Sequence, residues 1–234
     1  MNKIVAIHQP NFFPWLGYFD KIIRCDTFVF LDNVQYQKTG GTWVNRVKLL
    51  VSGESKWITA EVDRSYHGTK LICEMEFLKQ SRWKEKFFNT LKTSYGRHPC
   101  YKECMDILEP IFRSSEQNIA RFNMKCVLSL CGALGIDVKK IKRSSELLNT
   151  GTASELLCSI TNAVGGDTYM CGAGAGGYQD PAVFVAAGIK LQHQDFIHPI
   201  YSQYRMDRFL PGLSIIDAVM NIGWEQTANM LASR

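Results

Sequence analysis

The first thirty-odd residues alternate apolar and polar stretches in a way that predicts a strand, a helix and a second strand. The apolar run KIVAI suits a buried parallel strand that ends at His8. Pro14 suits a first helical turn, and apolar side chains recur at helical spacing from Trp15 onward. TFVFLD then predicts a second strand ending at Asp32. Such a unit forms a right-handed crossover, so we expect adjacent parallel strands with His8 and Asp32 opening onto one cleft.

The remaining pattern predicts an α/β chain with a helical stretch in its middle. WVNRVKLL and KWITAEV alternate like a hairpin with its turn at residues 52–55, and IDVKKIK, DTYMCG and IKLQHQDF predict further strands. Helices are expected within about 81–135, with breaks near 95–99 and 113–116, and then at about 153–164, 181–187 and 214–220. We therefore predict a Rossmann-like, mainly parallel sheet in one domain, 1–234, with a helical insertion at about 81–135.

Composition favours a cytoplasmic globular protein. The chain has 234 residues, of which 46% are hydrophobic, enough for one sizeable core. No run approaches the roughly 18 consecutive apolar residues of a membrane span, and the start lacks the pattern of a signal peptide. The eight cysteines include no CxxC pair, so we expect reduced, mostly buried thiols and no metal site.

The net charge of +5 is mild and its cations are spread along the chain. An anionic small molecule, held by two or three cations, is a simpler explanation than a nucleic-acid partner. Oligomeric state stays open at this stage.

The segment HQPNFFPWLGYFD carries the densest signal for chemistry. His8, Gln9, Asn11, Trp15 and Tyr18 lie at a strand-to-helix junction, where free helix N–H groups and the helix dipole attract anions. His8 could bind phosphate or act as an acid or base near neutral pH. A purely structural role, with His8 capping the loop and the aromatic residues filling the core, is equally compatible with the sequence.

A second group follows the second strand. Asp32 is a candidate catalytic or ribose-binding carboxylate, Arg46 a candidate phosphate clamp, and Asn45 a neighbouring substrate ligand. Surface salt bridges would explain the charged residues Asp32 and Arg46 as well. The glycine-rich run from Gly172 to Tyr178 follows a predicted strand, but no lysine follows it as in a P-loop, so tight packing explains it better than cofactor binding.

The C-terminal region offers a third group. His198, Tyr201 and Gln203 lie in a polar and aromatic loop that could line a sugar site. Ser214 and Asp217 have the spacing of a helix start, which we favour over a binding role.

The motifs HQPNFFPWLGYFDKI, FVFLDNVQYQK, WVNRVKL, TYMCGAGAGGY and FLPGLSIIDAVMNIG together resemble the WbqC-like protein family, known from bacterial O-antigen gene clusters. The resemblance covers nearly the whole chain. The family pattern falls on the following positions: His8, Pro10, Pro14, Gly17, Asp32, Asn45, Arg46, Tyr201, Gln203, Ser214 and Asp217. With Gly174, Gly176 and Gly177, this chain has more glycines in that segment than the family pattern has.

The resemblance implies an aminoacyl or acyl transferase acting on the amino group of a nucleotide-linked amino sugar, since glycine transfer to an amino sugar is the activity proposed for one member. The acyl donor stays open: a free amino acid with ATP, an aminoacyl-tRNA or a carrier thioester. The chain is also distantly similar to nucleotidylyltransferases, whose His-x-Gly-His motif corresponds to Trp15-Leu16-Gly17-Tyr18 here, without either histidine. The alternatives are therefore an ATP-dependent nucleotidylyltransferase-like enzyme and a non-catalytic nucleotide-sugar-binding protein.

Overall fold

The computed structural model describes residues 2–39, 41–172 and 179–233. Its strands are β1 (Ile4–His8), β2 (Thr27–Phe30), β3 (Arg46–Val51), β4 (Glu54–Thr59), β5 (Ile141–Arg143), β6 (Thr168–Cys171) and β7 (Lys190–His193). Its helices are α1 (Leu16–Arg24), α2 (Trp83–Tyr95), α3 (Tyr101–Phe112), α4 (Ile119–Ala133), α5 (Ala153–Ala163), α6 (Pro181–Ala186) and α7 (Ile215–Ala232). Short 3₁₀ turns cover Ile72–Glu74 and Ser144–Glu146.

Five strands form a parallel sheet in the order β5-β2-β1-β6-β7. The chain runs outward from β1 to β2 and β5 on one side, then returns to β6 and β7 on the other. The strand order therefore reverses between β1 and β6, and the carboxyl ends of these two strands flank the topological switch point where open α/β sheets bind ligands. This confirms the predicted Rossmann-like α/β class and the predicted parallel pairing of the first two strands.

The helix and the second strand of the first crossover, α1 and β2, are both largely buried. All four residues of β2 are buried, as expected of a central parallel strand. Helix α1 is buried over most of its circumference, including the charged side chains of Asp20 and Lys21. These two charges therefore lie inside the protein, where each needs a partner or a function.

The hairpin of β3 and β4 lies outside the parallel sheet and pairs antiparallel from Arg46 with Thr59 to Val51 with Glu54. Its turn is shorter than the sequence suggested. Ser52 and Gly53 form a two-residue turn with φ of 55° and 78°, the left-handed backbone that suits the twist of a tight hairpin. Val47, Leu49 and Leu50 of β3 are buried, and its other positions are partly exposed.

Helices α2, α3 and α4 occupy the predicted helical stretch and share one hydrophobic cluster with α1 and α7. The last helix is longer than predicted. The pattern up to Met220 suggested an end there, but the chain only kinks at Gly223, whose φ is 78°, and continues to Ala232. Burial of Trp224 and Leu231 explains the continuation, because the second segment packs its own apolar face. The predicted strand IDVKKIK is also shorter, with only Ile141–Arg143 paired.

The loop between β1 and α1 joins the sheet to this helical layer. Phe12 and Phe13 are 1% and 0% exposed and pack among aromatic rings from α2, α3 and α4. The backbone of the loop is held at Pro10 by the Asn123 side-chain amide and at Phe13 by the Ser214 hydroxyl, at 2.8 Å each. These contacts set the path of the chain between His8 and α1.

Most of the glycine-rich run considered above, residues 173–178, lies outside the described residues. Gly174, Gly176, Gly177 and Tyr178 belong to it. Only Gly172, directly after β6, is described.

Replacing Phe12 with alanine should lower the free energy of unfolding by about 3–5 kcal/mol, because it removes a fully buried ring at the junction of sheet and helices. Urea denaturation followed by circular dichroism measures the change. Leu148→Ala is the control, since Leu148 is 95% exposed. Equal midpoints for the two variants would contradict the anchoring role of Phe12.

Candidate functional site

A cavity of about 660 Å³ opens at the carboxyl ends of β1 and β6, at the switch point of the sheet. Its walls combine aromatic and aliphatic side chains with a few polar groups, as is typical of small-molecule sites. The polar and aromatic lining residues are His8, Gln9, Asn11, Trp15, Tyr18, Lys21, Trp43, Tyr169, Gln179, Gln194 and Phe196. Four of the sequence-predicted site residues, His8, Gln9, Asn11 and Tyr18, are thus brought together here.

His8 is a neutral imidazole at the end of β1. The pKa of His8 is lowered from 6.5 to about 3. Burial is the main cause and the charge of Lys21 is the second, while a hydrogen bond to Gln9 opposes the shift. Nδ1 lies 3.2 Å from the Gln9 carbonyl oxygen, which assigns the proton to Nδ1. Nε2 is then a lone-pair acceptor, and it makes no hydrogen bond within the part of the chain that the structure describes.

Tyr18 holds the His8 loop in place. Its hydroxyl donates to the Gln9 carbonyl at 3.0 Å, and its ring meets the His8 ring edge-on with centroids 4.8 Å apart. Burial raises the pKa of Tyr18 well above its ordinary value, so the hydroxyl keeps its proton and serves as a donor. Tyr18 therefore orients His8 from α1.

Lys21 is one of the cleft residues that sequence reasoning missed. Its side chain is 4% exposed and lines the cavity, and burial lowers its pKa from 10.5 to about 8, although the Cys171 and Cys25 thiols raise it. No carboxylate lies within 4.0 Å of its ammonium among residues 2–39, 41–172 and 179–233. The available signal was a lysine that follows an aspartate in a helix whose residues are mostly apolar.

The opposite wall is a hydrogen-bonded support for α1. The Gln194 amide donates to the Gly17 carbonyl oxygen and to the Asp20 carboxylate, both at 2.7 Å. Arg24 lies 3.6 Å from the same carboxylate. Asp20 is therefore satisfied without Lys21, which leaves the lysine charge for a ligand.

Trp15 covers the amino end of α1. A Cβ atom added at Gly17 would lie 2.4 Å from the Trp15 ring, so only glycine lets the indole lie over the first helical turn. This arrangement argues against the predicted anion site at the helix start, because an indole occupies the side from which a phosphate would approach the turn.

Asp32 does not line the cleft, contrary to the shared-cleft expectation. It is fully buried, and its carboxylate accepts bonds of 2.9 Å from the Ser145 amide, 2.7 Å from the Ser145 hydroxyl and 3.0 Å from the Ser144 hydroxyl. Arg143 Nε lies 3.5 Å away. Asp32 thus joins β2 to the turn after β5, and we assign it no step below.

Tyr201, Gln203 and Asp217 form a separate buried network. Asp217 accepts bonds from the Tyr201 hydroxyl at 2.7 Å, the Gln203 amide at 2.9 Å and the Tyr95 hydroxyl at 3.0 Å. Burial raises the pKa of Asp217, and these three bonds oppose the rise. The network connects α2, the C-terminal loop and α7, and it lies apart from the cavity walls.

The remaining predicted residues do not line the cavity. Ser214 caps α7 by accepting from the Ile216 amide, as the helix-start interpretation predicted. Asn45 donates from its side chain to the Ala60 carbonyl at 2.9 Å. The His198 ring packs near Trp15 with centroids 6.3 Å apart, and Arg46 begins β3 on the hairpin.

A second cavity, of about 640 Å³, lies between α4 and β5. Its cations include Arg121, bonded to Glu116, and Arg143, which contacts Asp32 and Glu146. We favour the first cavity as the functional site because it lies at the switch point and holds a buried lysine that has no carboxylate partner among residues 2–39, 41–172 and 179–233.

Comparisons with known proteins agree on one family. The model of the "WbqC-like protein family" matches residues 9–229. A protein of Mycobacterium tuberculosis (strain ATCC 25618 / H37Rv), described as "Uncharacterized protein Rv1507c", is 29% identical over 226 residues, which cover 95% of each chain. No solved structure matches the chain significantly. Within the described residues, no helix has the length and apolar character needed to cross a membrane, and no group of three or more His, Cys, Asp or Glu side chains could hold a metal ion.

The depressed pKa of His8 predicts an acid-sensitive fold. The unfolded chain takes up a proton near pH 6.5, whereas the folded protein does so only near pH 3, so stability falls as the pH drops through this window. His8→Asn should flatten the dependence of unfolding free energy on pH by up to about 1.4 kcal/mol per pH unit. Urea denaturation at a series of pH values measures it, with exposed His67→Asn as control. Identical slopes for His8→Asn and the wild type would refute the assignment.

Proposed function

The chain belongs to the WbqC-like protein family, and from this membership together with the switch-point cleft we propose that it is a transferase of bacterial surface-polysaccharide biosynthesis. It transfers an amino acid or other acyl group to the amino group of a nucleotide-linked amino sugar. In this proposal the enzyme works in the cytoplasm on an O-antigen precursor.

The observation that carries the proposal is the pairing of a neutral histidine with a buried cation in one cleft. Acyl transfer to an amine releases a proton from nitrogen and develops negative charge on the carbonyl oxygen. His8 Nε2 offers a lone pair for the proton, and the Lys21 ammonium offers a charge for the oxyanion. Both side chains line the same cavity, and the charge of Lys21 lowers the pKa of His8.

The reaction proceeds by addition and elimination. The amine lone pair of the sugar forms the new C–N bond with the acyl carbon, and the carbonyl π electrons move to oxygen beside Lys21. The resulting ammonium loses its proton to His8. The oxyanion then reforms the carbonyl and expels the donor's leaving group, which takes the proton from His8.

The runner-up, ATP-dependent nucleotidyl transfer, has less support. Enzymes of that class place ATP phosphates against the start of the first helix, and here Trp15 lies over that turn beside Gly17. The purely binding alternative would use the buried charge of Lys21 to hold an anionic ligand, and it would involve no proton transfer to His8. ATP as a cofactor and aminoacyl-tRNA as a donor remain proposals.

Replacing Lys21 with methionine should reduce transfer at least about 100-fold, because the oxyanion loses its counter-charge. The same change should leave the melting temperature unchanged or raise it, since the folded protein no longer buries a charge. Incorporation of radiolabelled glycine into a UDP-linked amino sugar, supplied separately as glycine with ATP, glycyl-tRNA or a glycyl carrier thioester, measures activity.

The control is Lys125→Met, which removes an exposed lysine of α4. Full activity of Lys21→Met with any donor that supports wild-type transfer would refute the assigned role. Absence of transfer by the wild type with every donor would refute the proposed reaction itself.

A further inference from the structure

The solvent face of the β3–β4 hairpin carries an aromatic and cationic surface beside the cleft. Arg46, Lys48 and Trp57 share this face, because Lys48 pairs directly with Trp57 and alternate residues of a strand lie on the same side. Trp43 precedes the hairpin, lines the cavity and contacts Trp57. We call these four residues the hairpin platform.

The two tryptophans are exposed for their type. Trp43 is 39% and Trp57 is 38% exposed, and their ring centroids lie 4.7 Å apart at an angle of 67°. Because the rings meet edge to face, they do not stack face to face on each other. Large exposed aromatic side chains next to a cleft are typical of a binding surface.

The cations of the hairpin platform lie against the Trp57 ring and have no acidic partner in the part of the chain that the structure describes. Arg46 Cζ lies 4.1 Å and Lys48 Nζ 5.1 Å from the Trp57 ring centroid. Within residues 2–39, 41–172 and 179–233, neither side chain forms an ion pair, and Arg46 Nε is buried without a hydrogen bond. A guanidinium that lies on an aromatic ring keeps its in-plane N–H groups for a phosphate.

Gly41 allows this position of Arg46. Its φ is 71°, and a Cβ atom there would lie 2.3 Å from an Arg46 guanidinium nitrogen. The backbone therefore leaves the space that the stacked guanidinium fills.

The combination fits a nucleoside diphosphate. A nucleobase stacks on an exposed indole, and a diphosphate needs one or two cations a short distance away. Trp57 contacts both Trp43 and Arg46, so an indole and a cation suited to these two parts lie next to each other. The start of α1, the usual phosphate site of this kind of sheet, is covered by Trp15.

We propose that the hairpin platform binds the nucleoside diphosphate part of the nucleotide-linked amino sugar, with the base on Trp43 and the phosphates at Arg46 and Lys48. This rests on the proposed function for the identity of the whole substrate, a nucleotide-linked amino sugar. Because Trp43 also lines the cavity, a ligand held in this way extends its sugar toward His8 and Lys21.

Calorimetry with UDP and ADP as probes tests the hairpin platform without any transfer reaction. Trp43→Ala and Arg46→Gln should each weaken binding about tenfold or more, and Arg46→Lys should weaken it less because it keeps the charge. Binding of uridine should depend on Trp43 but not on Arg46. Near-ultraviolet and far-ultraviolet circular dichroism verify that each variant is folded.

Lys56→Gln is the matched control. Lys56 belongs to the same hairpin, but it lies on the other face, opposite Leu49 in the register, and pairs with Glu54 at 3.5 Å. UDP should bind this variant as it binds the wild type. An equal loss of UDP affinity in Lys56→Gln and Arg46→Gln would show that binding depends only on the overall positive charge, and it would overturn the proposal.

Other outcomes separate the alternatives. UDP affinity that is unchanged in both Trp43→Ala and Arg46→Gln overturns the proposal, as does tight binding of a CCA-ended RNA or a neutral oligosaccharide without binding of UDP. Platform-dependent UDP binding by a protein without transfer activity supports the hairpin platform and contradicts the proposed reaction. Transfer activity together with UDP binding that is unchanged in the platform variants supports the proposed reaction and contradicts the hairpin platform.

Discussion

The insertion of Phe12 and Phe13 into the helical layer is the constraint on which the rest of the structure depends. Both rings are buried among aromatic side chains of α2, α3 and α4, so the loop after β1 must leave the sheet and return within a few residues. Phe13 adopts a φ of 44°, a left-handed conformation that costs a phenylalanine energy and persists only where its surroundings hold it. Asn123 and Ser214 supply that hold through the loop carbonyls. As a result, His8 and Tyr18 are presented to the cleft from a fixed backbone.

The buried charges divide into those that stabilise the fold and one that is available for chemistry. Asp32, Asp217 and Asp20 are each satisfied by neutral donors or a nearby arginine. Lys21 is buried without a carboxylate partner in the described part of the chain, and burial is the cause of its lowered pKa. Unpaired buried charge is unfavourable for folding, so its presence in a cleft indicates a binding or catalytic role.

The cleft and the hairpin meet at Trp43. One end of this region, at His8 and Lys21, is enclosed and suited to bond making, while the other, at Arg46 and Trp57, is open to solvent. A substrate with a charged nucleotide at one end and a reacting amine at the other matches this division. The proposals for the reaction and for the hairpin platform therefore concern opposite ends of one ligand and can fail independently.

The sequence by itself determined the α/β class, the β1–α1–β2 crossover and the central helices, because these follow from local periodicity that burial then reinforces. It also identified the segment around His8 as part of the cleft, since strand ends in parallel sheets converge on one edge. Only the tertiary structure decided that Asp32 and Asp217 are internal hydrogen-bond acceptors, because their partners Ser145 and Tyr95 are distant in sequence. The same holds for Lys21, which is buried without a carboxylate partner among the described residues, because burial and pairing are properties of three-dimensional packing that no local pattern encodes.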